Sequence, residues 1–320
     1  MRQKSLASEG FEKHRKRTRK EVFLNDMETI IPWQELSGVI APHYPNPKGA
    51  GRRPIGVERM LRIYFLQHWF NLSDPGAEEA LYDSRAMRRF VGIDLGEEPV
   101  PDETTICKFR HLMEGKNLGK ALFEHVSVYL EENGMKVARG TIVDATIINA
   151  PSSTKNQEKK RDPEMHQTRK GNQWYFGMKA HIGVDSKTKL IHSAVVTAAN
   201  VHDSQVLEDL LHGEETRVWG DSAYAGQKTT LARCAPDAQD FTQHKGTRNN
   251  ALSEAERSRN RTKSKVRAKV EHVFHVMKRQ FDFTKVRYRG IDKNANHVFA
   301  ACALINLVLA KKRLLRLSPG

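Results

Sequence analysis

The sequence predicts an α/β or α+β core preceded by an all-α N-terminal domain. Apolar residues recur at helical spacing up to Gly134, whereas strand-length segments rich in β-branched residues follow Gly140. Antiparallel strands followed by a helix and a further strand are typical of such a core. We therefore divide the chain into a basic arm at 1–22, a helical domain at 23–138, an α/β domain at 139–312 and a basic tail at 313–320.

Four segments of the N-terminal region have the caps and the apolar spacing of helices. They are Val57–Asn71, a helix from Pro75 through Phe90 capped by Ser73 or Asp74, Asp102–Met113 and Leu118–Asn133. The third has an apolar stripe and a basic face that includes Lys108 and Arg110. Short helices with one basic face fit a helix-turn-helix-like DNA-binding unit, and a plain helical bundle is the alternative.

The region after Gly140 is typical of strands joined by turns. The predicted strands are Thr141–Ile148, Tyr175–Asp185, Leu190–Ala198 and Arg217–Gly220, with Phe241–His244 as a possible last strand. A helix is predicted at Asp203–Leu211, capped by its own aspartate. The polar, charge-dense stretch Ser152–Gln173 predicts a long flexible loop.

The composition indicates a polyanionic partner. The chain of 320 residues carries 53 Lys and Arg against 38 Asp and Glu, a formal net charge of +15, which favours nucleic acid over an anionic membrane surface. Its three cysteines are too few and too scattered for a disulfide framework or a zinc cluster. We find neither a membrane-spanning segment nor the apolar core of a signal peptide, so we expect a cytoplasmic protein with no membrane partner.

Two aspartates occupy strand positions where a carboxylate is costly. Asp144 lies within a strand of otherwise apolar and β-branched residues, and Asp221 follows directly where the strand RVWG stops. Such carboxylates need cations, backbone donors or metal as partners. Taken singly, Asp144 at a bulge or sheet edge and Asp221 as a turn cap are the alternatives.

A third acid lies on the helix predicted at Ser264–Phe283. Its apolar stripe, Val266, Val270, Val273, Met277 and Phe281, would pack on the sheet. On another face, helical spacing brings together Arg267, Glu271, His275 and Lys278. A solvated ion-pair face is the alternative. If Glu271 meets the two aspartates, three crowded carboxylates favour hard divalent cations, and two such ions can activate a nucleophile against a phosphodiester.

Several segments around these acids resemble transposases of the IS5 family, DDE type, and particularly its IS5 subgroup. The resemblance spans nearly the whole chain and is carried by GRRPIGVERMLRIYFLQHWFNLSD at 51–74, GTIVDATIINAPSSTKN at 140–156, RDPEMHQTRKGNQWYFGMKAHIGVD at 161–185, TAANVHD at 197–203 and RAKVEHVFHVMKRQFDFTKVRYRG at 267–290.

The resemblance implies an α/β, RNase H-like core, a mixed sheet flanked by helices, with Asp144, Asp221 and Glu271 as catalytic metal ligands. Two Mg²⁺ ions, with Mn²⁺ as a substitute, would be held with Asp144 as the bridging ligand. The family's tyrosine–arginine–glutamate–lysine signature falls on Arg267, Glu271 and Lys278, but Ser264 stands where the tyrosine is expected. It also implies that the helical domain binds terminal inverted repeats, that the protein forms a homodimer or higher synaptic assembly, and that it associates with the bacterial nucleoid.

Further residues are candidates for contacts with double-stranded DNA or for support of the acids. Expected DNA contacts are Arg267, Lys278, Lys155, Lys159, Lys160, Arg161, Lys170, Arg52, Arg53, Lys108 and Arg110. His202, Asp203 and His275 are candidates to lie beside the metal ligands; a turn residue and a helix cap are the alternatives for His202 and Asp203. Trp174 and Tyr175 would either stack on a base or pack at the start of a strand.

The predicted activity is hydrolysis at the ends of an insertion sequence, followed by attack of the freed 3′-hydroxyl on target DNA. A catalytically decayed transposase acting as a DNA-binding repressor is one alternative, and a nuclease of the same fold that cuts without joining is another.

Overall fold

The computed structural model describes residues 16–45, 53–246 and 251–317 of the chain. The helices are α1 Arg19–Ile30, α2 Trp33–Ile40, α3 Val57–Phe70, α4 Asp74–Asp83, α5 Arg85–Val91, α6 Glu103–Gly115, α7 Leu118–Glu132, α8 Lys228–Cys234, α9 Glu254–His275 and α10 Ile291–Leu317. The strands are β1 Gly140–Asn149, β2 His166–Lys170, β3 Gln173–Asp185, β4 Ile191–Ala198, β5 Arg217–Trp219 and β6 Gln239–Asp240.

The strands form one mixed sheet in which β1 is central. Strand β1 pairs antiparallel with β3 and parallel with β5, and β6 continues the sheet parallel to β5. On its far edge, β3 pairs antiparallel with β4 and, nearer its start, with β2. Helices α1–α7 precede this sheet, which confirms the predicted α/β fold with an RNase H-like core behind an all-α region.

The two faces of the sheet pack against different parts of the chain. One face, with Ile142 of β1 and Ile182 of β3, joins a hydrophobic core that is continuous with helices α1–α7, α9 and α10. The opposite face, with Val143 of β1, packs in a smaller cluster on Leu207, Leu210 and Tyr224. Because side chains alternate along a strand, successive residues of β1 contribute in turn to the two clusters.

Helix α10 joins the N-terminal helices to the sheet, since it packs against α1, α6, α7 and β4. Its buried asparagines bond to those neighbours: Asn296 Oδ1 accepts from Gly119 N at 2.7 Å, and Asn306 bonds both backbone groups of Ile191. At Gly119 a β-carbon would meet the carbonyl oxygen of Asn296 at 2.2 Å, so α7 and α10 approach too closely for any other residue. Within the described ranges we find no helix apolar and long enough to cross a bilayer.

Several sequence predictions require correction. The helix from Pro75 breaks at Ser84, whose hydroxyl accepts from Met87 N and starts α5. The stretch Asp203–Leu211 forms two short 3-10 turns rather than a helix, and His202, not Asp203, caps the first. The helix predicted at Ser264–Phe283 begins ten residues earlier, at Glu254, after a Ser253–Glu256 capping box.

The predicted loop Ser152–Gln173 contains β2, which forms a hairpin with the start of β3. The last strand starts earlier than predicted, at Gln239, although backbone bonds to β5 continue through Gln243. Helix α1 includes the end of the predicted basic arm, of which residues 1–15 lie outside the described ranges. Likewise, α10 extends through Leu317 into the predicted tail and buries Leu314.

Candidate active site

Strand register places Asp144 and Asp221 side by side. Strands β1 and β5 are parallel neighbours in which Ile142 pairs with Trp219. Two residues further along each strand, Asp144 stands opposite Asp221, and neighbouring strands are about 4.8 Å apart. Asp221 ends β5 in an extended conformation, and its side chain accepts from Ala223 N at 2.8 Å. The predicted cap at Asp221 is therefore present together with its place beside Asp144.

Helix α9 brings the third acid and two cations to the same face of the sheet. The stripe predicted for this helix is buried at Val270, Val273 and Met277, which hold it against the core. Arg267 Nη1 donates to Asp144 Oδ2 at 2.5 Å, and Arg267 Nη2 lies 3.8 Å from Glu271 Oε1. The arginine thus bridges the strand aspartate and the helix glutamate.

Lys278 lies in a π-helical turn, Val276–Gln280, that continues α9. Its Nζ donates to Ile147 O of β1 at 2.8 Å. Burial lowers the pKa of Lys278, and the charge of Lys170 lowers it further. Single π turns inside helices are frequent at functional sites, and this one fixes a cation against the strand that bears Asp144.

The electrostatics of Asp144 reflect crowding of negative charge in a buried position. Burial raises the pKa of Asp144 to about 6; Arg267 and the Ala145 N–H lower it, whereas the charges of Asp221 and Glu271 raise it. The carboxylate is only 12% exposed, compared with 61% for Glu271. Although Arg267 bonds it directly, burial outweighs this contact, and the pKa of Asp144 stays raised.

A polar group lies around the predicted candidate Asp203, on the opposite face of the sheet. Lys179 Nζ donates to Asp203 Oδ1 at 2.8 Å, and buried His181 Nδ1 lies 3.8 Å from the same oxygen. Tyr224 is fully buried, and its hydroxyl has no hydrogen-bond partner among the described residues; burial raises its pKa, as do the charges of Asp203, Asp144 and Asp221. Sequence reasoning missed Lys179, His181 and Tyr224, for which the one signal was the position of Tyr224, three residues after Asp221.

The structure also locates the other residues that the sequence predicted near the acids. His202 is exposed, and its ring accepts from Ser204 N, as a turn residue does. His275 is exposed at the end of α9. Ser264, at the position where the resemblance implies tyrosine, accepts from Gln243 Nε2 at 2.5 Å and so bonds α9 to the edge of the sheet. Trp219 is buried and stacks on Phe241 beside Asp221.

The predicted DNA contacts divide into exposed and buried cations. The exposed ones are Arg53, Lys108, Lys155, Lys159, Lys160, Arg161 and Lys170. Arg110 is instead largely buried, where it forms ion pairs with Asp74 and Glu114 at 2.8 and 2.7 Å, an arrangement that does not favour contact with DNA. Arg52 lies outside the described residues.

In the segment between β1 and β2, the acidic and the basic side chains have different surroundings. Asp162 and Glu164 accept from the backbone N–H groups of Gly290 and Ile291, where a helix N-terminus attracts negative charge. Glu158 pairs with Arg289 at 2.6 Å. With its acids bound to the start of α10, this segment presents its lysines to solvent.

The three acids fit a divalent cation by their chemistry. Hard cations take carboxylate oxygens, and a cation beside Asp144 would offset the burial that raises the pKa of this carboxyl. In the part of the chain that the structure describes, no group of three or more His, Cys, Asp or Glu side chains is arranged to hold a metal. Glu271 instead faces Arg267, so coordination by all three acids requires its side chain to turn toward the aspartates.

Comparisons with known proteins show the family of the chain. Residues 136–307, more than half of the chain, match the family described as Transposase DDE domain, and residues 12–112 match Transposase domain (DUF772). The chain therefore belongs to the DDE transposases and is a DNA transposase. A cryo-EM structure of a piggyBac transposase synaptic complex with hairpin DNA aligns with 94% of this chain and 76% of that one, at 9% identity and a TM-score of 0.44.

Proposed function

We propose that this chain is an insertion-sequence transposase of the IS5 subgroup that cleaves the element's ends and joins the 3′-hydroxyl to target DNA in a Mg²⁺-dependent reaction. The observation that supports it best is the register that places Asp144 opposite Asp221, with Arg267 bonded to Asp144 beside Glu271. In this proposal the helical domain at 23–138 binds the terminal inverted repeats, the domain at 139–312 is catalytic, and a homodimer or higher assembly holds both ends.

Asp144, Asp221 and Glu271 would hold the metal. Bound Mg²⁺ supplies Lewis-acid activation of the nucleophile and stabilisation of the leaving oxygen. The chain's own residues position these ligands: Asp221 is fixed by Ala223 N, and α9 fixes Glu271 through its buried stripe. Released from Asp144, the Arg267 guanidinium is free to bind a phosphate with two parallel hydrogen bonds.

The exposed cations define a path for the DNA backbone. Lys155, Lys159, Lys160 and Arg161 follow the strand that bears Asp144, and Lys170 lies close enough to Lys278 to lower its pKa. A basic path on this side of the sheet would lead phosphates to the acids, with strong dependence on salt.

The test is a strand-cleavage and strand-transfer assay with labelled end DNA, Mg²⁺ and a supercoiled target. Asp144→Asn, Asp221→Asn and Glu271→Gln should each reduce cleavage and joining below detection while binding of end DNA survives. Asp209→Asn, an exposed aspartate of the same domain, is the matched control and should behave as wild type.

Each alternative has its own outcome. Binding without cutting by the wild-type protein would indicate a decayed transposase that acts as a repressor. Cutting without joined product would indicate a nuclease. Normal cleavage by any of the three acid variants would overturn the assignment of the site.

A further inference from the structure

The β2–β3 hairpin extends beyond the sheet as a two-stranded arm, which we define as residues 166–176. Strand β1 stops at Asn149, opposite Gly177 of β3. Before Gly177, β3 has β2 on one edge and no paired strand on the other, among the described residues. An isolated two-stranded hairpin is marginally stable in water, so the arm adds little to the stability of the fold.

The charge of the arm favours a polyanionic partner. Its sequence, HQTRKGNQWYF, contains His166, Arg169 and Lys170 and no acidic residue. A second copy of this chain would itself carry a net charge of +15 and would be repelled at long range. Nucleic acid is the partner whose charge complements the arm.

The arm also exposes an aromatic side chain. Trp174 is 64% exposed, whereas Trp33, Trp69 and Trp219 are at most 9% exposed. Sequence reasoning offered either stacking on a base or packing at a strand start for Trp174, and this exposure excludes the packing. An exposed indole forgoes the favourable burial that its large apolar surface would otherwise give.

Two arginines flank the aromatic residues of the arm. The Arg169 guanidinium lies 6.0 Å from the Trp174 ring centroid, and the Arg161 guanidinium lies 5.3 Å from that of Phe176. Together with Asn149, the side chains of Arg161, Trp174 and Phe176 line part of a cleft of about 470 Å³. Aromatic rings that stack on bases beside cations that bind phosphates are typical of sites for unpaired nucleotides.

The arm adjoins the strand that bears Asp144. Asn149, which ends β1, lines the same cleft as Trp174, and Asp144 lies five residues earlier on β1. DNA held at the acids therefore passes beside the arm.

We propose that the arm is a nucleobase-binding site, in which Trp174 stacks on a base drawn out of the duplex that is held at the acids. Arg161 and Arg169 bind the phosphates on either side of that base. This inference rests on the proposed function, because the DNA that reaches the arm is the DNA held at Asp144, Asp221 and Glu271. Stacking offsets the cost of unstacking the base, which is a few kcal/mol.

The first experiment uses the intrinsic fluorescence of the full-length protein. Because the other three tryptophans are buried, Trp174 provides most of the emission that acrylamide can quench. A short duplex that carries the end of the element encoding this chain should protect Trp174 from acrylamide, and the Trp174→Phe variant should lack the quenchable component. If protection instead increases with protein concentration without DNA, the arm is a contact between copies of the chain and the proposal is wrong.

The second experiment locates the base. Trp174→Ala should weaken binding of the end duplex on the order of tenfold, and Trp174→Phe should stay near wild type, since stacking contributes about 1–3 kcal/mol per base. A single abasic nucleotide scanned along the duplex should restore binding by Trp174→Ala at one position, and equal binding at every position would overturn the base-binding site.

The two proposals fail differently in these assays. Wild-type cleavage with Trp174 equally quenched with and without DNA would overturn the base-binding site and leave the transposase mechanism standing. Absence of wild-type cleavage and joining would overturn the proposed function.

Discussion

In α10, the buried amides of Asn296 and Asn306 bond to neighbouring helices and strands, whereas in the acidic cluster Arg267 Nε is buried with no hydrogen-bond partner among the described residues. The two asparagines thus satisfy their polar groups internally, which stabilises the fold. The acidic cluster keeps an unsatisfied donor and an aspartate with a raised pKa. We infer that α10 stabilises the fold, whereas the acidic cluster is arranged to bind a charged partner.

Gly119→Ala should have the largest effect on stability, because it disrupts the contact between α7 and α10. The new β-carbon would meet Asn296 O at 2.2 Å and Asn296 Oδ1 at 2.7 Å, so α7 and α10 must move apart. We expect the free energy of unfolding to fall by about 3 kcal/mol, as for overpacked cores. Gly115→Ala is the matched control, because its β-carbon would meet nothing within 4 Å. Equal melting temperatures for the two variants would show that the helix contact tolerates an added methyl group.

A substitution in the acidic cluster should have the opposite sign. Burial raises the pKa of Asp144 from 3.8 to about 6, so its ionised form destabilises the folded protein. The stability that the protonated Asp144 gives is complete below about pH 4 and is lost as the pH rises through about 6. The Asp144→Asn variant is neutral at every pH and avoids this loss. We expect metal-free Asp144→Asn to be more stable than wild type at pH 7 by about 1–2 kcal/mol.

Thermal melts at several pH values check this prediction. The advantage of Asp144→Asn should shrink as the pH falls toward 4, whereas Asp209→Asn should show no such trend. A variant less stable than wild type at pH 7 would mean that the Asp144–Arg267 bond outweighs the burial of the charge.

The smallest effect is expected outside both regions. Arg233 and Glu208 form an ion pair whose side chains are 66% and 56% exposed. Exposed pairs gain little, because solvent and salt screen them. Arg233→Ala should therefore leave the melting temperature unchanged within error, and a clear decrease would show that surface pairs matter more here than the contrast between the two regions implies.

The sequence predicted the elements whose apolar pattern is decisive. Strand β1 and helices α3, α6 and α7 lie within one or two residues of their predicted bounds, because caps and stripes mark them. Strand β2 was missed since His166–Lys170 is polar throughout and is held by backbone pairing alone. The start of α9 was missed because its first turns lack an apolar stripe, although the capping box at Ser253 was visible.

For the site, the sequence predicted which residues carry charge but not which of them bond. The interruption of an apolar strand marked Asp144, and the end of RVWG marked Asp221. Arg267 was assigned to DNA, yet it bonds Asp144 directly. Arg110 shows the same limit, since a basic helix face does not reveal that Asp74 lies opposite it. Such pairs depend on packing between distant segments, which local pattern cannot provide.

The central position of α10 also constrains the order in which the protein can fold. The helical region and the sheet share α10, which is synthesised after both of them. While the ribosome synthesises β1 through α9, helices α1–α7 therefore have an incomplete core and exposed apolar surface. Contacts between α1 and α10 span most of the chain, and closing so long a loop is slow. A nascent transposase is therefore unable to complete either half before translation has passed α10.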